Sequence, residues 1–589
     1  FSILTNIIAF VPLLFVPGML GKTWSVIPFV VIPVFALSWM EALFILPAHL
    51  SHTSSKPSTG FGARLHHRQQ VFARWLERVI EFKFGPFLDL CLRWRYVTVA
   101  ASIALLFMVL GLVASGRMGF ILMPRVESDR AVVTATLSYG SPLSRLEAVR
   151  DRLVAVADRV VAEQGGEALS RGVYATINDN VVEVSVYLTP PKQRPISTTE
   201  LTKLWREKTG PMVGVETLQF AADRGGPGSG ASLTVELSHR NIAMLERASV
   251  ALAERLAVFP NVKDIDAGYK PGKRQFDFVL KPEGRSLGLT TENVARQLRA
   301  AFYGSEALRQ QRGRSEVKVM VKYPEDQRVR EFDIENFLVR TPSGRDVPLL
   351  EVAQIERGRA YTSIQRRDGR RTIQVSADVD PVGETGIVKA DLDSTILPEL
   401  ARDFPGLSYG YEGRQADMQE SVNALGAGFA LVLFFVYFLL AIPFKSYIQP
   451  LIVMLSIPFG VIGAILGHLT MGYNLSIISI MGMIALAGVV VNGSLVLIEY
   501  ANRLREEGVN AYEAIHRSGI RRFRPIMLTT LTTFAGLAPM IFETSRQARF
   551  MIPMALSLGY GILFSSIICL VLVPALYMII EDIRGNKAR

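Results

Sequence analysis

Cysteine is almost missing from this 589-residue sequence, which has only Cys91 and Cys569. Both lie in or beside apolar blocks. No disulfide framework therefore holds the polar middle of the chain, and no thiolate metal site can form there. Histidine is scarce too, at seven residues. Four of them, His49, His52, His66 and His67, cluster at spacings that fit no closed metal site and read as part of a solvated interfacial loop. Only 20% of residues are charged, which argues against a nucleic-acid surface despite a net charge of +11. The string GGPGSG, within Asp223–Ser232, lacks the lysine and hydroxyl residue of a phosphate loop and reads as a linker. No local signature places a Ser/His/acid set. No enzymatic activity, cofactor or metal is expected.

Apolar residues are plentiful, at 49%, and they are gathered into blocks. A bilayer core about 30 Å thick needs about 20 apolar residues in a helix. Eight candidate spans emerge: Ile3–Pro17, Val26–Leu46, Tyr96–Leu112, Ala424–Ile442, Leu451–Leu469, Ile477–Tyr500, Pro525–Phe542 and Met551–Ile580. Runs such as ALVLFFVYFLLAIPF offer no polar face to water, which excludes a large soluble enzyme. The chain opens at Phe1 inside an apolar stretch without a charged leader, so it reads as part of a longer protein and not as a signal peptide.

Basic residues set the orientation. Lys56, Arg64, Arg68, Arg74, Arg78, Lys83, Arg93 and Arg95 fill one short segment, and Arg503, Arg505, Arg517, Arg521, Arg522 and Arg524 another. Arg584, Lys587 and Arg589 end the chain. All three groups are expected to face the cytoplasm, which places the interval Arg117–Glu420 on the opposite side. Val71, Trp75, Leu76, Val79 and Phe82 recur at helical spacing among arginines, as in an amphipathic helix lying on the inner membrane surface.

The interval alternates strand and helix. Ala131–Ser138, the helix Pro142–Gln164 and Val182–Leu188 form one cycle. Leu233–Leu237, the helix Ile242–Phe259 and Gln275–Leu280 form a second, and Thr372–Val379, Ile387–Phe404 and Leu407–Tyr411 a third. Such cycles make small βαβ sandwiches with helices on one face of each sheet. Leu289–Ile355 reads as an insertion carried at the end far from the membrane.

Four stretches identify a family. They are Ile457–Gly508 (IPFGVIGAILGHLTMGYNLSIISIMGMIALAGVVVNGSLVLIEYANRLREEG), Arg521–Met540 (RRFRPIMLTTLTTFAGLAPM), Glu41–Leu50 (EALFILPAHL) and FYGSEALRQQRGRSEVKVMVKYPEDQR. On them the chain resembles the C-terminal half of resistance-nodulation-division efflux transporters, in particular the hydrophobe/amphiphile exporters of Gram-negative bacteria. The resemblance implies a multi-pass α-helical inner-membrane protein with about eight helices of a twelve-helix fold and a large α+β periplasmic region. It divides the chain into helices five (partial) and six at 1–47, a cytoplasmic amphipathic segment at 48–95 and helix seven at 96–116. A porter subdomain follows at 117–222, then a second at 223–288 and 356–420 with a docking insertion at 289–355. Helices eight to twelve and a short cytoplasmic tail fill 421–589. It also implies a homotrimer in contact with membrane lipid, a periplasmic adaptor (a membrane fusion protein), an outer-membrane channel and a small-molecule substrate, with no nucleic acid.

Proton coupling needs an ionisable group within the membrane, where such groups are costly and rare. Family exporters often carry a lysine in the tenth helix opposite an acidic pair on the fourth. The matching residue here is Asn492, followed by Gly493 where related branches have aspartate, so the usual tenth-helix charge is missing. Arg522 and Thr529, at the start and in the first turns of the eleventh helix, match relay-associated positions. Asn492 and Thr529 are expected to hydrogen-bond an acidic pair outside this chain, with Arg522 tuning it. Glu499, near the inner end of the tenth helix, reads equally as an interfacial or a relay residue. His468, near the outer end of the ninth, and Glu41, near the inner end of the sixth, read first as interfacial and second as coupling residues. Gly460, Gly463 and Gly467 permit close helix approach, and Pro458 is expected to kink the ninth helix.

The first exported module offers only Tyr174 and Tyr187 as aromatic pocket candidates, which weakens a pocket for apolar drugs. Met118, Met123, Met212, Met244, Met320 and Met418 are scattered and read as core filler before metal ligands. The expected function is proton-motive-force-driven export of small amphiphilic or toxic compounds. The alternatives are a protein-export auxiliary, a lipid transporter, a heavy-metal exporter, or a non-transporting receptor-like membrane protein.

Overall fold

The computed structural model describes residues 1–51, 61–115, 118–122, 128–191, 193–222, 230–269, 272–361, 363–543 and 550–585; side chains at 19, 20, 61–68 and 414 are left undescribed. Among the described residues, six helices are long and apolar enough to cross a membrane. They are Gly21–Ser51, Arg95–Ala114, Gln415–Phe444, Gln449–Met471, Ile477–Glu506 and Ile552–Ile583. The first apolar block forms only the shorter run Ser2–Phe15. The seventh expected block differs more. Its helix spans Ala511–Ile541, and Asn510 caps it by accepting from Glu513 N at 2.8 Å. Pro525 was expected to open the helix but lies inside it, so Arg522 and Thr529 sit well past the first turns. The missing proline N–H removes one helical bond, which a helix anchored by buried Ala511, Ala514, Ile515, Ser518 and Gly519 on one side and Ile526 on the other tolerates.

Gln449–Met471 is broken at Leu455–Ser456, one residue before the helix resumes at Ile457 with Pro458 in its first turn. Glycines then bring the central helices into contact. A Cβ on Gly463 would come within 2.5 Å of Phe564 Cβ and Tyr560 O, and one on Gly467 within 2.6 Å of the Tyr560 ring. Gly561 faces Leu486 just as closely. At the start of helix Arg95–Ala114 and the end of Ile552–Ile583, Arg95 forks onto Asp582 at 2.6 and 2.8 Å, and Glu581 pairs with Arg505 and Arg584. Segments Phe61–Val79, Ile80–Phe84 and Gly85–Arg93 run as successive helical turns. Ile80, Leu88, Cys91 and Leu92 are buried, while Val71, Trp75 and Phe82 stay exposed. Of the four clustered histidines, His49 is exposed, and His52 and the His66 and His67 side chains lie outside the described residues.

The first α/β module is a four-stranded antiparallel sheet in the order Ser170–Asn178, Val181–Leu188, Arg130–Leu137, Val215–Ala221. Strict alternation puts Ala131, Val133, Ala135, Val182, Val184 and Val186 on one face, under helices Leu143–Glu163 and Thr198–Thr209. Trp205 fills that core and donates to Leu153 O at 3.2 Å.

In the second module, Arg370–Val379 is central. It pairs with Leu233–Ser238, which in turn pairs with Ser408–Tyr411, and also with Val262–Asp266. The sequence-based expectation fails at Gln275–Leu280. That run lies within Lys273–Leu280, which leaves the sheet and pairs antiparallel with Ala353–Ala360; Val262–Asp266 takes its place. Neither face of Lys273–Leu280 is fully buried, so no core holds it in the sheet. Gly268 and Gly272, at φ +66° and +76°, turn the chain there, and a Cβ on either would strike a backbone carbonyl. The two-stranded ribbon leads to an inserted unit with its own core, formed by Leu289, Val294, Leu298, Phe337, Val339, Leu349 and Val352. The linker residues 223–229 lie outside the described residues.

Overpacking a tight helix contact costs about 1–3 kcal/mol. Gly463→Ala is therefore expected to lower the thermal unfolding midpoint, whereas Gly111→Ala, with nothing within 4 Å of its new methyl, leaves it unchanged. Equal midpoints would show that the glycine contact is not limiting.

Candidate functional site

Two regions gather polar chemistry, one within the helix bundle and one in the exported modules. In the bundle, Asn492 lies half-buried on Ile477–Glu506 and faces the first helix. Its Oδ1 is 3.2 Å from Thr5 Oγ1, a fully buried hydroxyl that also lies 3.1 Å from Gly488 O and 2.6 Å from Ser2 O. Gly488 makes this approach possible, since a Cβ there would fall 2.8 Å from both Ala9 Cβ and Thr5 O. Beside it, Asn6 Oδ1 is buried with no partner among the described residues. Thr5 and Asn6 were not singled out in the sequence. The signal was two polar residues side by side in an otherwise apolar run.

The other relay candidates do not join this seam. Thr529 is exposed, and its hydroxyl bonds back to Ile526 O at 2.9 Å on its own helix. The neighbouring Thr530 is the one buried, donating to Ser566 Oγ at 2.6 Å. Arg522 lies 3.9 Å from Glu499 and stacks over the Tyr500 ring at 4.6 Å, which pairs two candidates that the sequence left separate. Its Nε is buried without a partner among the described residues. Glu41 is exposed on Gly21–Ser51. His468, read as interfacial, is instead fully buried, with Nδ1 2.9 Å from Ala464 O and Nε2 2.8 Å from Ser479 Oγ.

The exported modules meet edge to edge. Arg206 of the first forks onto Asp264 of the second and packs over Phe220 at 4.8 Å, and Lys273 reaches Asp179 at 3.4 Å. Tyr174 and Tyr187 share one face of the first sheet. Tyr174 stands opposite Ser185, and Tyr187 lies beneath Arg130, which pairs with Glu183 at 2.7 Å. Both tyrosines are exposed on this charged face, and neither lines the cavity of the second module.

That cavity, about 350 Å³, lies in the second module and is lined by Thr234, Glu246, Asp266, Tyr269, Tyr361 and Arg371 among others. Tyr361 donates to Glu246 Oε1 at 3.0 Å and carries Arg371 over its ring at 4.0 Å. The bond to Glu246, with some burial, holds the Tyr361 phenol above its ordinary pKa; burial and then the same carboxylate raise Tyr269. Two carboxylates beside two electron-rich rings, with one arginine, suit an organic cation better than a purely apolar guest. Among the described residues no three His, Cys, Asp or Glu side chains are gathered as a metal ion needs. Sequence reasoning missed this site because its residues come from four separated segments.

A raised phenol pKa stabilises the fold while the phenol is protonated. The contribution is complete below the ordinary tyrosine value of about 10 and fades as pH rises through the folded value. Tyr361→Phe cannot ionise, so its unfolding midpoint is expected to fall less steeply with alkaline pH than that of the unsubstituted protein. An unchanged slope would place Tyr361 away from Glu246 in solution.

A family model, the AcrB/AcrD/AcrF family, matches residues 1–581. The cobalt-zinc-cadmium resistance protein CzcA of Cupriavidus metallidurans is 23% identical over 98% of this chain and 55% of its own length. The swarming motility protein SwrC of Bacillus subtilis is 26% identical over 56% of this chain and 31% of its own. A crystal structure of a heavy metal efflux pump superposes with a TM-score of 0.79 at 19% identity, covering 99% of this chain and 57% of that one. The chain thus spans about half the length of the CzcA relative, and the structural likeness speaks to the fold.

Proposed function

Since the chain belongs to the AcrB/AcrD/AcrF family of resistance-nodulation-division transporters, we propose that it forms the C-terminal half of a proton-motive-force-driven exporter of small amphiphilic compounds, organic cations foremost. The exporter sits in the inner membrane of a Gram-negative cell with its α/β modules in the periplasm. It works as a homotrimer with a periplasmic adaptor and an outer-membrane channel.

The observation that carries the substrate class is the cavity bounded by Glu246, Asp266, Tyr269 and Tyr361. Its acidic and aromatic lining attracts a positive charge on a flat or amphiphilic body. The membrane seam supports a relay in which this chain supplies neutral partners. Asn492 and Thr5 hold hydrogen-bonding positions between two helices, while Arg522, stacked on Tyr500, offers a fixed positive charge nearer the cytoplasmic end. Thr529 contributes less to this reading than Thr530, because its hydroxyl bonds its own helix. A second reading, heavy-metal export, has in its favour the CzcA relative along nearly the whole chain. The absence of a three-residue metal group among the described residues weighs against it.

The test is susceptibility of cells deprived of other pumps and given the full-length transporter, challenged with ethidium, a cationic detergent, and cobalt, zinc and cadmium salts. Tolerance of the dye and detergent is expected to rise, and tolerance of the metals to stay flat. Metal tolerance alone would replace this reading with the second. Asn492→Leu leaves Thr5 without its side-chain partner and is expected to remove most of the gain. Undiminished export would take Asn492 out of the mechanism.

A further inference from the structure

His468 lies at the outer end of Gln449–Met471, where the membrane helices meet the exported modules, and its surroundings form one continuous chain of hydrogen bonds. Nδ1 faces Ala464 O at 2.9 Å. A carbonyl only accepts, so Nδ1 carries the proton and Nε2 of the neutral ring accepts from the Ser479 hydroxyl at 2.8 Å. Ser479 Oγ in turn accepts from Ser476 N at 3.1 Å, while Ser476 Oγ accepts from Ser479 N at 3.2 Å. This reciprocal capping fixes the start of Ile477–Glu506.

The same Ser476 belongs to a two-residue strand. Leu475 and Ser476 pair in parallel with Phe120 and Ile121, which lead from helix Arg95–Ala114 into the first exported module. Leu475 N also donates to Gly119 O at 3.1 Å. Gly119 presses against the second module, since a Cβ on it would lie 2.5 Å from Gly383 Cα, in the turn that precedes helix Thr385–Asp391. A Cβ on Gly383 would meet both Gly119 and the Asn474 side chain, each at 3.4 Å. Two membrane helices, the entry to the first module and a turn of the second are thus joined within a few residues, and His468 is the side chain that ties the helices together behind the joint.

We infer that His468 is the positioning residue of a rigid linkage that carries displacement of helices Gln449–Met471 and Ile477–Glu506 into both exported modules. The linkage is three backbone segments held in register by the His468–Ser479–Ser476 bonds, and it stays closed through the transport cycle. A leucine at 468 fills the space and leaves Ser479 and Ala464 without their partner, so the helix movement no longer reaches the Phe120–Leu475 bridge in full. Glutamine can donate to Ala464 and accept from Ser479 without titrating, and so preserves the linkage.

This inference rests on the exporter reading, and the test separates the two. The full-length transporter is placed in proteoliposomes acidic inside, with ethidium uptake and the proton efflux exchanged for it recorded under one pH gradient. No ethidium uptake by the unsubstituted protein would overturn the exporter reading itself. With uptake established, His468→Leu and Ser479→Ala are expected to lower it about fivefold, the scale of one lost net hydrogen bond, while proton efflux stays within about twofold. His468→Gln is expected to keep both within about twofold, as is a disulfide joining Phe120→Cys to Leu475→Cys, which holds the bridge shut. Three results would overturn the linkage: undiminished uptake in His468→Leu, a joint fall of uptake and proton efflux in His468→Leu and His468→Gln alike, or arrest of uptake by the closed disulfide.

Discussion

The structure depends first on how closely three membrane helices approach one another. Lipid offers no partner for backbone polar groups, so each span must be a helix and the helices can gain only by packing. Gly463 and Gly467 on one helix, Gly482 and Gly488 on the next, and Gly561 on the last leave no room for a Cβ at the contacts they make, and Gly460 and Gly559 leave little. This close core sets the positions of everything attached to it. The first helix nests against Gly488, which brings Thr5 to Asn492. The outer ends of the central helices are brought to where Leu475 and Ser476 can pair with the strand entering the exported region.

The α/β modules are held by a different kind of force. Each is a sheet with helices on one face, and alternation along the strands buries one side chain in two. They touch the membrane part through backbone pairing and glycine contact, and each other through Arg206 and Asp264 at the sheet edges. Such a small, polar interface suits parts that move relative to one another, whereas the glycine-packed helices behave as a block. The cavity lies on the second module, away from the charged face that carries Tyr174 and Tyr187. A guest entering it meets Glu246 already engaged by the Tyr361 hydroxyl and Asp266 by the Gly268 N–H, so binding exchanges one hydrogen-bonding arrangement for another.

Much of this was legible in the sequence, and the failures have physical causes. Period-two runs such as AVVTATLS and VEVSVYL announce their strands because one face is buried. QFDFVL has the same look, but neither of its faces is fully buried, so its pairing was decided by the glycines at 268 and 272 and by the distant strand Ala353–Ala360. Pro525 suggested a helix start, yet tertiary burial of Ala511–Gly519 overrides it. His468 was read as interfacial because position along a span does not reveal which partners surround it, and Ser479 lies eleven residues on, across a turn. Cavity residues drawn from 234, 246, 269 and 361 carry no local motif. Asn492 and Arg522 were found by resemblance, while their contacts with Thr5 and Tyr500 required the fold.

On the reading proposed above, a proton gradient drives this family member to move organic cations across the membrane. The most direct measurement is ethidium accumulation in proteoliposomes of the full-length transporter, with the pH gradient imposed, absent or collapsed by a protonophore. Accumulation is expected to appear with the gradient and to vanish with its collapse. Accumulation indifferent to the gradient, or none under any gradient, would contradict it.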